Sequence, residues 1–149
     1  MDPIRRVSRP VEAVSEVRVR YAETDQMGVV YHTHYLVWCE VGRTDLIRLF
    51  GASYADLERS GVRLTVAEAE VRYASLARYD DVVRIRTRVE RVQSRTVTFS
   101  YVLSRLMDQV EIPMATARTR LIALGPEGSP RTLPESLQKR LREAQVPTN

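Results

Sequence analysis

The sequence predicts an α+β domain in which one long helix is covered by a curved, five-stranded antiparallel sheet. Two observations carry that expectation. A single helical stripe, Tyr35, Cys39, Gly42, Leu46 and Phe50, recurs at spacings of three and four and is widened by Leu36 and Ile47. Period-two alternation covers one segment before that stripe and most of the chain after it, and short turn signals join the later segments into a meander. A helix apolar over so much of its circumference must be covered on most sides, which a strongly twisted sheet does by wrapping around it.

The first strand is expected at Val17, Val19 and Tyr21, which alternate with Arg18 and Arg20. The helix follows from about Thr33 to Phe50. Thr33 or His32 stands near its N-cap, Arg48 suits the last turn through the helix dipole, and Gly51 supplies a left-handed stop. The second strand is expected from Thr65, with Ala67, Ala69, Val71 and Tyr73 opposite Glu68, Glu70 and Arg72. A turn at Arg78 to Asp81 leads to a strand through Val83, Ile85, Thr87 and Val89, and a break at Gln93 and Ser94 to the next through Val97, Phe99, Tyr101 and Leu103. The last strand spans Val110 to Leu124, where Pro113 calls for a bulge or an edge position because it cannot donate to the ladder. Pro134 to Ala144 is expected to form a short terminal helix with Leu137 and Leu141 on one side. The expected organisation is one domain over 1–149, with a core at about 15–125 and a C-terminal tail at 126–149. Such a sheet has exposed edges, and pairing one with a second copy removes that hazard, so a homodimer or homotetramer is expected.

Composition bounds the partners. With 149 residues, 44% of them hydrophobic, the chain suits a single core. No apolar run approaches the roughly 20 residues of a membrane helix, and MDPIRRVSRP lacks the apolar stretch of a signal peptide, so a cytoplasmic protein without a membrane span is expected. Cys39 is the only cysteine, which excludes an internal disulfide and a multi-cysteine zinc site. Lys and Arg number 23 against 19 Asp and Glu, a net charge of +4, and Lys139 is the sole lysine. The arginines are spread along the chain, as solvated strand faces or as forks for an anionic partner, and no basic run points to nucleic acid.

Chemistry gathers in YAETDQMGVVYHTHYL, just ahead of the helix. Taken alone, Asp25 reads either as a turn former or as a reactive carboxylate. His32, His34 and Asp25 have the composition of a metal set, but His-x-His at a helix start is common by chance and no metal is expected. Cys39 lies on the apolar stripe and reads as a small buried hydrophobe. No Gly-x-Ser-x-Gly elbow is present, which argues against a serine hydrolase of the α/β class.

The same stretch resembles the signature of the hotdog-fold thioesterases of the 4-hydroxybenzoyl-CoA thioesterase group, and of their YbgC-like acyl-CoA thioesterases in particular. That pattern is Asp, two residues, Gly, Val, Val, Tyr, His, two residues, Tyr; Asp25, Gly28, Val29, Val30, Tyr31, His32 and Tyr35 match it. The similarity continues through VRYASLARYDD and covers roughly residues 15–140. It implies a hotdog fold and an acyl-CoA thioester hydrolase that needs no cofactor. It further implies Asp25 as general base or nucleophile, and the His32 backbone N–H as donor to the thioester oxygen, with Gly28 allowing a close turn between them. Tyr31 and Tyr35 read either as lining of the acyl pocket or as plain packing, and the resemblance favours the pocket for Tyr35; it further implies that Arg95 and Thr96, at the turn into the fourth strand, hold the CoA end. Gln93 and Ser94 stand where the 4-hydroxybenzoyl-CoA enzyme has arginines. The His32 imidazole is expected to orient Asp25 or the substrate, His34 to be structural, and Glu23, outside the pattern, to be a solvated strand-end charge. An acyl carrier protein thioesterase and a non-catalytic acyl-thioester-binding or scaffold protein remain as alternatives; the pattern of a hotdog dehydratase is missing.

Overall fold

The computed structural model describes residues 11–50 and 54–147. In chain order it contains β1 (Glu12–Arg18), a 3-10 turn (Tyr21–Glu23), α1 (His34–Arg48), α2 (Tyr54–Arg59), β2 (Arg63–Tyr73), β3 (Val82–Val92), β4 (Thr96–Met107), β5 (Val110–Leu124) and α3 (Glu135–Ala144). The strands form one antiparallel sheet in the order β1-β3-β4-β5-β2, wrapped around α1, which is the hotdog arrangement. The expected meander is β3-β4-β5. The two strands that flank the helix in sequence pass to opposite edges of the sheet.

The inner face carries the alternating residues foreseen from the sequence: Val83, Ile85 and Val89 on β3 and Val97, Phe99 and Leu103 on β4 are fully buried. They meet Tyr35, Trp38, Cys39, Leu46 and Ile47 of α1. Gly42 lets the helix approach β3 closely, because a Cβ there would overlap Thr87 Oγ1 and lie 3.0 Å from Ile85 Cγ2. The outer face is an arginine–glutamate ladder. Glu12 accepts from Arg86 at 2.7 Å and from Arg88 at 2.5 Å, Arg86 also forks onto Glu111, Arg118 grips Glu90, and Arg120 reaches Glu68. Much of the arginine content is therefore paired across strands.

Several boundaries differ from expectation for local reasons. β1 begins earlier, at Glu12, because the small residues Ala13 and Ser15 face α1, where Ser15 Oγ donates to Asp45 Oδ2 at 2.6 Å. It also ends before Tyr21. Val19 still bonds to the Asp80–Asp81 turn, but the Glu23 carboxylate accepts the Arg20 N–H at 2.8 Å, which folds the chain into the 3-10 turn and leaves Tyr21 in solvent. On β2 a register shift between Val66 and Glu68 changes the phase of the alternation, so Val66 joins Ala69, Val71 and Tyr73 on the inner face in place of Ala67. The bulge foreseen at Pro113 is present, as a shift between Leu103 and Ser104 opposite it. α1 ends at Arg48 with Leu49 as C-cap; Gly51, the expected stop, lies outside the described residues. The short α2 was not foreseen. α3 buries Leu137 and Leu141 as predicted. Among the described residues no helix is long and apolar enough to cross a membrane.

Candidate active site

The polar stretch folds as a closed loop at the entrance to α1. Asp25 N donates to Val29 O at 2.9 Å, Gly28 N returns to Asp25 O at 3.0 Å, and Gly28 adopts φ +76°, a region that favours glycine. A bridge between Thr24 and Val30 and a bond from Tyr31 N to Glu23 O close the base of the loop. Val30 N then bonds to Ala77 O at 2.9 Å, which anchors the loop on the segment between β2 and β3.

Asp25 is half-buried at the mouth of this loop. Its Oδ1 accepts the Met27 N–H at 2.9 Å, an Asx-type turn, while Oδ2 has no hydrogen-bond partner among the described residues. His32 stands two residues before the helix. Its backbone N–H meets no acceptor among the described residues, as befits a donor at a helix entrance, whose first N–H groups lie beyond the intrahelical ladder. The peptide that bears this N–H is held through its carbonyl, Tyr31 O, which accepts from His34 N at 3.0 Å. The His32 imidazole is exposed, 4.5 Å from the Tyr31 ring, and makes no hydrogen bond to Asp25, contrary to an orienting role toward that carboxylate.

Glu23 reverses its expected place. It is only 3% exposed, and besides Arg20 N it accepts the Trp38 indole N–H at 3.1 Å, with His34 Nδ1 at 3.9 Å. It is a buried tie between the loop and α1. The signal in the sequence was Trp38: a lone tryptophan beside the apolar stripe needs an acceptor for its N–H, and the nearest upstream acids lie in this loop. His34, beside Glu23, has the structural surroundings expected of it.

The remaining site residues divide. Tyr31 is exposed beside His32. Tyr35 is 1% exposed; its hydroxyl accepts Ala77 N at 3.1 Å and its ring packs on Trp38, so within one chain it is a core residue. Burial raises its pKa, and the hydroxyl stays protonated at neutral pH. Arg95 and Thr96 are not brought to Asp25. They lie at the β3–β4 turn, whereas the loop sits by the start of β3, and the 11 residues of that strand span roughly 35 Å. Thr96 Oγ1 donates to Gln93 Oε1 at 2.9 Å, Ser94 O accepts from Leu133 N, and Arg95 projects into solvent. Among the described residues no group of three or more His, Cys, Asp or Glu converges as a metal site would require.

The chain matches the thioesterase-like superfamily over residues 19–141. It is similar to the acyl-CoA thioester hydrolase YbgC of Escherichia coli O157:H7, 30% identical over 122 residues that make up 81% of this chain and 89% of that one. The YneP protein of Bacillus subtilis is 43% identical over 86 residues, 58% of this chain and 62% of YneP's length. In structure it resembles the DHNA-CoA thioesterase of Staphylococcus aureus, with TM-score 0.80 and 31% identity over 89% of this chain and 87% of that one.

Proposed function

Since the chain belongs to the thioesterase-like superfamily and has the hotdog fold, we propose that it hydrolyses an acyl-CoA thioester to a free acid and CoA at the entrance to α1. The observation that carries this reading is a carboxylate with an unengaged oxygen, Asp25, on the closed loop, together with an N–H without an acceptor, that of His32, next to the bond that closes it.

The chemistry follows from those two groups. The thioester oxygen accepts the His32 N–H, which stabilises the negative charge that grows there as the carbonyl carbon is attacked. Asp25 serves either as the base that takes a proton from the attacking water or as the nucleophile, forming an anhydride that water then opens. Either route breaks the C–S bond, releases CoA as a thiolate that takes up a proton, and leaves the acyl group as an acid. No step calls for a metal.

The nucleotide end of the substrate requires a second chain. β2 is an edge strand, bonded only to β5, and Val66 and Tyr73 on its inner face stay exposed. Antiparallel pairing of β2 with its copy brings the start of one strand beside the end of the other. Arg63, at the start of β2, and Thr96 pair with neighbouring positions of β5, Leu124 and Ile122, so the β3–β4 turn lies at that level. Tyr73, at the end of β2, touches the loop before α1. In the dimer each Arg95 therefore stands on the side of its partner's Asp25, where its guanidinium meets a CoA phosphate. Release of free thiol from short-chain, long-chain and aromatic CoA esters, with Asp25→Asn as control, tests the activity. No release from any of them above that control overturns it.

A further inference from the structure

We infer that Tyr73 is a positioning residue for the reaction, a hydroxyl on edge strand β2 that holds the His32 main chain in place as oxyanion donor. The inference rests on the thioesterase reading above and adds to it a residue outside the loop and the helix.

Tyr73 Oη donates to His32 O at 2.7 Å, across 41 residues of sequence. That carbonyl belongs to the residue whose N–H has no acceptor. The peptide on the other side of His32 is held by His34 N on Tyr31 O. His32 is thus clamped on both flanks, and the clamp from β2 is one hydrogen bond. The hydroxyl is itself well placed: the Tyr73 ring packs edge-on to Tyr35 at 5.1 Å and faces His32 at 6.5 Å, while Ala74 N and Ser75 N both bond to Met114 O and fix the strand end. Burial, with Tyr35 and Cys39 nearby, raises the Tyr73 pKa, so at neutral pH the group is a donor. An oxyanion donor acts by standing in place before charge develops, and loss of its alignment reduces turnover without weakening ground-state binding.

The test compares wild type, Tyr73→Phe, Tyr21→Phe and Asp25→Asn in steady-state hydrolysis of an acyl-CoA, with thermal melts of each. Tyr73→Phe keeps the ring and deletes only the bond; Tyr21 has an exposed ring, and its hydroxyl bonds to nothing described. Expected for Tyr73→Phe is a fall in kcat of about tenfold with KM within about twofold and a melting temperature near wild type, and for Tyr21→Phe no change. Amide hydrogen exchange at His34, whose N–H bonds to Tyr31 O on the other flank of His32, should quicken in Tyr73→Phe in the same preparation. Unchanged kcat in Tyr73→Phe, with wild type active and Asp25→Asn inactive, overturns the positioning role and leaves the thioesterase reading standing. A rise in KM at constant kcat also overturns it, as does a fall in kcat accompanied by an equal loss in the Tyr21→Phe control. Absence of turnover in the wild type overturns both.

Discussion

Glu23 and Asp25 are two residues apart and have opposite surroundings, one closed over by Trp38 and Arg20, the other open at one oxygen. Their substitutions should separate accordingly. Asp25→Asn keeps an oxygen for the Met27 N–H, so the fold should persist while turnover falls by at least ~10², because an amide neither attacks nor accepts water's proton. Near-wild-type turnover, with contaminating enzymes excluded, would remove Asp25 from the mechanism. Glu23→Ala instead strands the buried Trp38 indole N–H, at about 1–3 kcal/mol, and removes the acceptor of the part-buried Arg20 N–H. Its unfolding midpoint should drop well below that of Asp25→Asn; equal midpoints would refute the tie. Burial pushes the Cys39 thiol up to about 12 although Arg43 pulls it down, so a thiol reagent at pH 8 should label it only as the chain unfolds. At this scale the sequence made the turn at Asp25 and Gly28 legible, and the burial of Cys39 through a helical stripe. It hid Glu23 because periodicity carries no information about which loop carboxylate turns inward.

Among the elements, α1 was legible because it repeats its apolar spacing over four turns, and its close approach to β3 at Gly42 gives a test in which two effects have opposite sign. Gly→Ala inside a helix stabilises by roughly 0.5–1 kcal/mol when the methyl has room. At Gly42 it does not, since the new Cβ would overlap Thr87 Oγ1. Gly42→Ala should therefore destabilise by about 1–3 kcal/mol in a denaturant titration, the cost of overpacking. A stabilised variant would mean that α1 and β3 stand further apart than described. β2 was legible only in part. A bulge adds one residue and reverses the phase of everything before it, and neither Val66 nor Ala67 advertises that change. α2, at six residues, is too short to display a period.

For the whole molecule, the strand order was beyond the sequence, because alternation tells which face a residue takes and not which edge its strand occupies. The length of β3 separates Arg95 from Asp25 within one chain, and with the proposed pairing of β2 edges mixed dimers become informative. Asp25→Asn and Arg95→Ala chains, each impaired with CoA esters, should recover activity when unfolded together and refolded, since a hybrid carries one site with both residues intact. Failure to recover would place Arg95 in its own chain's site or in none. The charged outer face makes a separate prediction. Burial alone would raise the Glu12 carboxyl, but Arg86 and Arg88 outweigh it and hold it below the usual range; Arg86 does the same for Glu111, and Arg120 for Glu68. Because these folded pKa values are depressed, their stabilisation is complete above the ordinary carboxylate range and disappears as pH falls through and below it. Melting temperature should hold steady from pH 7 to about 5 and fall below about 4.5, with a shallower fall in high salt. A melting temperature that stays level down to pH 3 would show that the ladder contributes little. The same topology also sets a schedule. β1 waits for a partner 76 residues further on, where Glu12 meets Arg88, and β2 must wait for β5, where Arg63 meets Leu124. As the chain leaves the ribosome, α1 is made after β1 but before every other strand that shelters its apolar stripe. The β3-β4-β5 hairpins, whose contacts are local, are the only part of the sheet able to form promptly, so folding should be slow for the chain's length and the edge strands should be the last to gain protection from hydrogen exchange.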